Sequence, residues 1–259
     1  MHTVRTGSGR PLVLVPGVGA DSDTWRFVLD GLAAEREVIS LDLPGFGKTP
    51  LFDGEVTVDR YADTLEAHLH EQRLEGSDLV GSSLGARLVL EMARRGLGRS
   101  VVAFDPGGFW SPMQKKVFGA TLGGSVSLVR ALRPVLPSLL GNPAGRTALL
   151  AQLSARPWAV PADFALSEVR GLADAPRSSP AIKALASNPD QQGAPAGTLP
   201  GPVLLVWGKQ DRVTPASQAP RAQRLFPDAH LELFDSCGHF PHWDQPARTV
   251  RTVLAATAY

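Results

Sequence analysis

The amino-acid sequence predicts an α/β chain: a mostly parallel central sheet flanked by helices, interrupted by an inserted helical segment. Three observations predict it. Short apolar runs closed by glycine- or proline-rich turns alternate with segments of helical spacing over roughly the first 105 residues. No convincing strand run occurs from Phe109 to about Thr198, where prolines punctuate apolar helical segments. After that, the strand–helix alternation resumes. The expected organisation is residues 1–108 as the first part of the core, 109–198 as the helical insertion and 199–259 as the second part.

Each element has its own warrant. Pro11-Leu12-Val13-Leu14-Val15 is wholly apolar, as a strand buried on both faces must be, and Pro16-Gly17 ends it. Trp25, Val28, Leu29 and Leu32 then recur at helical spacing. Glu37–Leu43 reads as a second strand, closed by Pro44-Gly45-Phe46-Gly47. Tyr61, Leu65, Leu69 and Leu74 mark a helix. Asp78-Leu79-Val80 leads into Gly81-Ser82-Ser83-Leu84-Gly85 and a helix carrying Leu84, Leu88, Val89 and Met92; Ser100–Phe104 is the next strand. In the insertion, Val126–Leu132, Thr147–Leu153 and Phe164–Val169 read as helices, and the prolines favour several short ones. Gly193–Gly197 is the exit linker, Pro202–Trp207 a buried strand, Ala219–Phe226 a helix, Leu231–Phe234 the last strand and Thr249–Ala256 the closing helix.

The composition narrows the function. The chain has 259 residues, 43% hydrophobic and 20% charged, which suits one large domain or one domain with an insertion. A net charge of +1 gives no sign of nucleic acid or an anionic membrane surface. The single cysteine, Cys237, excludes an internal disulfide framework and reads as a packed thiol. Met1–Gly7 lacks a charged-then-apolar signal segment, and no apolar run approaches the ~20 residues of a membrane span, so the expected location is cytoplasmic.

The chemistry starts at Ser83. Gly81-Ser82-Ser83-Leu84-Gly85 fits G-x-S-x-G in the strand–turn–helix context that gives the motif meaning. Only Ser83, not Ser82, has glycine two positions away on both sides. The glycines remove side chains that would collide with strand and helix, leaving the hydroxyl exposed at the positive end of the helix. Two other glycine loops fail their motifs. In Gly17-Val18-Gly19-Ala20-Asp21-Ser22 the third glycine of a dinucleotide site is a serine. In Asp42–Thr49, Asp42 would set a carboxylate beside the phosphates of a P-loop. Asp42 reads instead as a turn carboxylate. His68 and His70 lie on different helix faces and read as surface residues without zinc spacing.

The chain resembles the α/β-hydrolase superfamily. The resemblance is carried, in order, by Pro16-Gly17-Val18-Gly19, Leu41–Gly47, Gly81–Gly85, Trp207-Gly208-Lys209-Gln210-Asp211, and Gly238-His239 followed by Pro246. It implies that fold, with 109–198 as a helical cap, and a triad ordered Ser83, Asp211, His239. It further implies an oxyanion hole at the backbone N–H groups of Val18 and Leu84. Asp105 also ends a strand and is the rival acid, since some members take it from there; Asp211 is preferred because Asp105–Gly108 also reads as a turn. His242 is the rival base, read as structural or at the pocket rim. Trp110, Phe118, Trp158 and Phe164 of the cap, with Phe240, are candidates for an apolar substrate pocket. Pro16 and Ser82 depart from the family's commoner histidines, and the opening strands are reduced to one near Thr3–Arg5.

The implied activity is a serine hydrolase, foremost a carboxylic ester hydrolase working through an acyl-enzyme on a small uncharged ester, with no metal or organic cofactor. A serine at the nucleophile position argues against a dehalogenase or epoxide hydrolase of this fold, which use aspartate there. The alternatives are a C–C bond hydrolase of ring-fission diketones, a lactonase or perhydrolase, and a non-enzymatic ligand-binding receptor on the same fold.

Overall fold

The structure, a computed structural model, describes residues 1–173, 175–187 and 189–258. Seven strands form one sheet: β1 (Thr3–Thr6), β2 (Pro11–Val15), β3 (Glu37–Leu41), β4 (Asp78–Ser82), β5 (Val101–Phe104), β6 (Val203–Gly208) and β7 (His230–Phe234). Their order is β1-β3-β2-β4-β5-β6-β7. Only β1 runs antiparallel, on β3; every other pair is parallel. All the parallel strands therefore end at one edge.

Successive side chains of a strand point to opposite faces. Val13 and Val15 of β2 accordingly enter one core, and Leu12 and Leu14 the other. Val101 and Ala103 of β5 are likewise set against Val102 and Phe104. Both faces are covered by helices, which is why these strands show no polar face. Helix α1 (Arg26–Ala33) buries Val28 and Leu32 on one face; α2 (Val58–Glu71) and α3 (Leu84–Arg94) bury Tyr61, Leu65, Leu88 and Met92 on the other.

Between β5 and β6 lie α4 (Pro112–Ala131), α5 (Leu136–Gly141), α6 (Pro143–Leu150), α7 (Ala162–Ala173) and α8 (Ala175–Ser187). The end of α4 with α5, α6 and α7 shares a small core of its own, including Leu136, Leu140, Leu150, Phe164 and Val169, while Ile182 and Leu185 of α8 join the main core. Phe240 and Trp243, at and just past the start of the short helix Pro241–Asp244 after β7, complete the small core. The expectation of short helices fails at α4, which runs 20 residues. No proline occurs between Pro112 and Pro134. Pro112 itself stands at the first helical position, where its missing N–H costs nothing, and Ser111 and Gln114 form a capping box. After β6 follow α9 (Ala219–Leu225), α10 (Pro241–Asp244) and α11 (Pro246–Ala256), which packs on α1 where Gly31 meets Val250.

A buried charge cluster ties the strand starts together. Asp78, at the start of β4, pairs with the Arg36 guanidinium, which also donates to Thr257 Oγ1 at 2.7 Å. Asp42 accepts the N–H groups of Ser22 and Lys48, both at 2.8 Å, and so pins two loops at the opposite edge. His68 is a correction: it is buried beneath β1, 3.4 Å from Thr3 Oγ1, while His70 is exposed beside Glu75. Among the described residues, no helix is long and apolar enough to cross a membrane.

Candidate active site

Ser83 stands between β4 and α3 with φ +56° and ψ −113°, a conformation that side chains rarely adopt. Three close approaches hold it. A Cβ on Gly81 would lie 2.3 Å from the Gly85 carbonyl oxygen, and one on Gly85 only 2.0 Å from that of Val15. The Ser83 N–H donates to the Phe104 carbonyl at 3.0 Å. Strain over-determined by its surroundings is a mark of functional sites. The first glycine loop lies directly against the serine: a Cβ on Gly17 would come 3.1 Å from the Ser83 Cβ.

Asp211 and His239 leave adjacent strands, β6 and β7, and meet. His239 Nδ1 is 2.9 Å from Asp211 Oδ2, and both residues are buried. Asp211 also accepts the backbone N–H groups of Val213 (2.7 Å) and Thr214 (3.0 Å) and the Thr214 hydroxyl (2.7 Å). An ionised carboxylate can only accept, so within this pair the imidazole proton sits on Nδ1 and Nε2 is left as a base. His239 is fixed by its own N–H, which donates to the Leu153 carbonyl at 2.8 Å.

Asp105 lies beside this pair. Its Oδ1 accepts the Gly208 N–H at 2.8 Å. Complete burial, and secondly the charge of Asp211, push its pKa well above the usual carboxylate range, which favours the protonated acid beside the Asp211 carboxylate. Asp105, Asp211 and His239 have ligand-type atoms within 4.8 Å of one another, the grouping that could hold a metal ion among the described residues. Here the facing atoms of Asp211 and His239 are already hydrogen-bonded to each other, an arrangement for moving a proton.

His242, the rival base, does not reach this group. Its ring lies 4.4 Å from that of Trp25, it is fully buried, and burial pushes its pKa down to about 3. An imidazole neutral in the fold but protonated at 6.5 when exposed destabilises the fold as pH falls between those two values. His242→Phe is therefore expected to lose less stability than the wild type between about pH 6.5 and pH 4, read by urea denaturation. Cys237 is also inert: burial raises the pKa of its thiol.

A cavity of about 530 Å³, mouth included, opens over the strand ends. Ser83 and His239 line it, with Val18 from the first loop and Val169 and Leu172 from α7. Val18 and Leu84, the two expected backbone donors, flank Ser83; Leu84 opens α3, where a helix has N–H groups without intrahelical acceptors. Of the five expected pocket residues, Phe118 and Phe240 line the cavity. Trp110 and Phe164 do not: they are buried one layer behind, Trp110 against Phe118 (4.6 Å between ring centroids) and Phe164 against Trp243 (5.1 Å). Trp158 is 52% exposed on the outside, on a 3₁₀ turn away from the cavity. Among the lining residues that the sequence reading did not single out, Glu168 of α7 is the ionisable one. Its signal was available: it shares a helical stripe with Phe164, Ala165 and Leu172, where a carboxylate is out of place.

Comparisons with known proteins agree with this architecture. The family model described as "Alpha/beta hydrolase family" matches residues 12–252. The epoxide hydrolase EphH of Mycobacterium tuberculosis is 32% identical over 208 residues, which cover 75% of this chain and 92% of that one. A dihydrolipoyllysine-residue acetyltransferase component of an acetoin cleaving system from Pseudomonas putida is 29% identical over 95% of this chain, which spans only 63% of that longer protein. Among solved structures, a 2-hydroxy-6-oxo-6-phenylhexa-2,4-dienoate hydrolase from Rhodococcus sp. strain RHA1 superposes with a TM-score of 0.75, covering 100% of this chain and 94% of its own at 18% identity.

Proposed function

The chain belongs to the alpha/beta hydrolase family, and from that premise we propose that it is a serine hydrolase of small, uncharged carboxylic esters. The observation that carries the reading is the hydrogen-bonded His239–Asp211 pair on the same apolar cavity as the strained Ser83. In this reading His239 Nε2 takes the Ser83 Oγ proton as Oγ attacks the ester carbonyl carbon. The N–H groups of Val18 and Leu84 hold the resulting oxyanion. The alcohol leaves with the proton that His239 returns, and the acyl group stays on Ser83. Water then attacks, giving a proton to His239, and the acid departs as His239 returns that proton to Ser83 Oγ. Asp211 keeps the imidazole oriented and stabilises the imidazolium. The inserted helices 109–198 act as the cap that shapes the pocket. Cytoplasmic residence belongs to the same proposal, supported by a buried, free Cys237.

One observation favours esters over C–C cleavage. A dienoate carries a carboxylate, yet no arginine or lysine lines the cavity among the described residues. The carboxyl that does line it, Glu168, would repel an anion when ionised. Lactone opening and peracid formation remain variants of the same acyl-enzyme, and the complete triad argues against a receptor. Ser83, where aspartate would be needed, argues against epoxide opening. The test is turnover of p-nitrophenyl esters from acetate to decanoate: saturable hydrolysis of short and medium chains supports the proposal, and inertness to the whole series, with cleavage of a dienoate, contradicts it.

A further inference from the structure

Glu168 is the carboxyl on an otherwise apolar wall. Around it the cavity is formed by Phe118, Leu122, Val169, Leu172, Leu185 and Trp243. On its other side lies a smaller polar cavity of about 360 Å³, which Asp21 and the Gly45–Gly47 turn also line. Glu168 thus stands at the partition between the two. A half-buried carboxyl in such a wall costs stability, and packing alone would be served better by leucine.

The carboxyl is also held. The Trp243 indole N–H donates to Thr24 Oγ1 at 3.2 Å, and the Thr24 hydroxyl in turn hydrogen-bonds Glu168. That arrangement orients the carboxyl and occupies one of its oxygens. The charged groups that face it are Asp21, Asp23 and Arg26. Arg26 is itself tied to Asp23 and Asp163. Desolvation first, and the negative charge of Asp21 next, raise the Glu168 pKa well above the ordinary carboxyl range. The raised pKa favours the protonated carboxyl, which has an O–H to donate.

We propose that Glu168 sets specificity in this cavity by donating a hydrogen bond from its carboxyl O–H to a neutral oxygen acceptor, such as a ketone or ether oxygen, on the substrate chain beneath α7. The inference rests on the ester-hydrolase reading of the same cavity. It deepens that reading from an apolar ester to one with an apolar chain interrupted by an uncharged oxygen. Anionic chains are disfavoured by Asp21 and by any ionised Glu168.

The experiment compares p-nitrophenyl hexanoate, 5-oxohexanoate and 6-aminohexanoate on the wild type, Glu168→Gln and Glu168→Met. The wild type is expected to favour the oxo chain over hexanoate by about tenfold in kcat/KM, mostly through KM, the worth of one hydrogen bond in a dry site. Glu168→Gln keeps an N–H donor and keeps the preference; Glu168→Met matches the size without a donor and loses it. In the wild type the preference fades as pH rises through the Glu168 pKa, because the ionised carboxyl has no proton to donate; in Glu168→Gln it does not fade. An oxo-to-plain ratio that is the same in the wild type and Glu168→Met overturns the proposal. So does a wild-type preference for the aminohexanoate that Glu168→Gln abolishes, which would mean an ionised, cation-binding Glu168. The Kd ratio of the matching N-propyl amides, which requires no turnover, separates the two readings. A Glu168-dependent Kd ratio without ester turnover defeats the esterase reading alone, and equal Kd ratios in all variants defeat the Glu168 assignment.

Discussion

Replacing Ser83 by alanine is expected to lower kcat on a p-nitrophenyl ester by at least about 10⁴-fold, with the fold unchanged. Alanine keeps the Cβ, and Gly81, Gly85 and the Phe104 carbonyl, which impose the φ of +56°, remain in place. Only the attacking oxygen is removed. Ser82 cannot substitute: it is a fully buried residue of β4. Steady-state kinetics alongside a thermal melt checks both halves. A variant that melts with the wild type and is silent on esters fits the acyl-enzyme account, and one that melts with it yet retains full turnover excludes Ser83 as nucleophile.

Two carboxyls stand at the histidine, and they are expected to respond very differently to the same change. Asp211→Asn should lower kcat by roughly 10⁴-fold, because an amide at that position offers an N–H where His239 Nδ1–H needs an acceptor, and the imidazole turns to the wrong tautomer. Asp105→Asn should cost less than about tenfold, since an amide N–H donates to the Asp211 carboxylate much as the protonated carboxyl does. The variants also differ in pH behaviour. Burial raises the Asp105 pKa in the fold, so the folded chain holds this proton to higher pH than the unfolded chain does. Its protonated burial therefore contributes stability that falls away as pH rises through its folded pKa. Asp105→Asn has no such proton and should gain stability relative to the wild type as pH rises above about 4, where the unfolded carboxyl ionises, read by denaturant titration. Were Asp105 the working acid, the kinetic order of the two variants would reverse.

The fold was legible where a single local rule decides. Wholly apolar runs such as Leu12–Val15 mark doubly covered strands because both faces of this sheet are packed. The Gly81 and Gly85 spacing marks the serine turn because a Cβ at either meets backbone. Asp211 and His239 are implied by the resemblance, whose order of serine, acid and histidine they follow; each lies just past a strand end, and the sheet order brings those ends side by side. The inserted helices were harder. Proline spacing could not reveal that Pro112 starts a long helix rather than ending one. Aromatic residues identified the pocket's neighbourhood, but not which ring faces the cavity: Phe118 does, while Trp110 behind it and Trp158 outside do not. Glu168 was passed over because the polar neighbours that give it meaning, Asp21 and Thr24, come from another part of the chain.

The most direct measurement is mass analysis of enzyme quenched in acid during turnover of a medium-chain p-nitrophenyl ester. The account predicts a burst of nitrophenolate matching the enzyme present, and an acyl adduct on the peptide that contains Ser83. An adduct on another residue, or turnover that leaves no adduct and persists in Ser83→Ala, would contradict it.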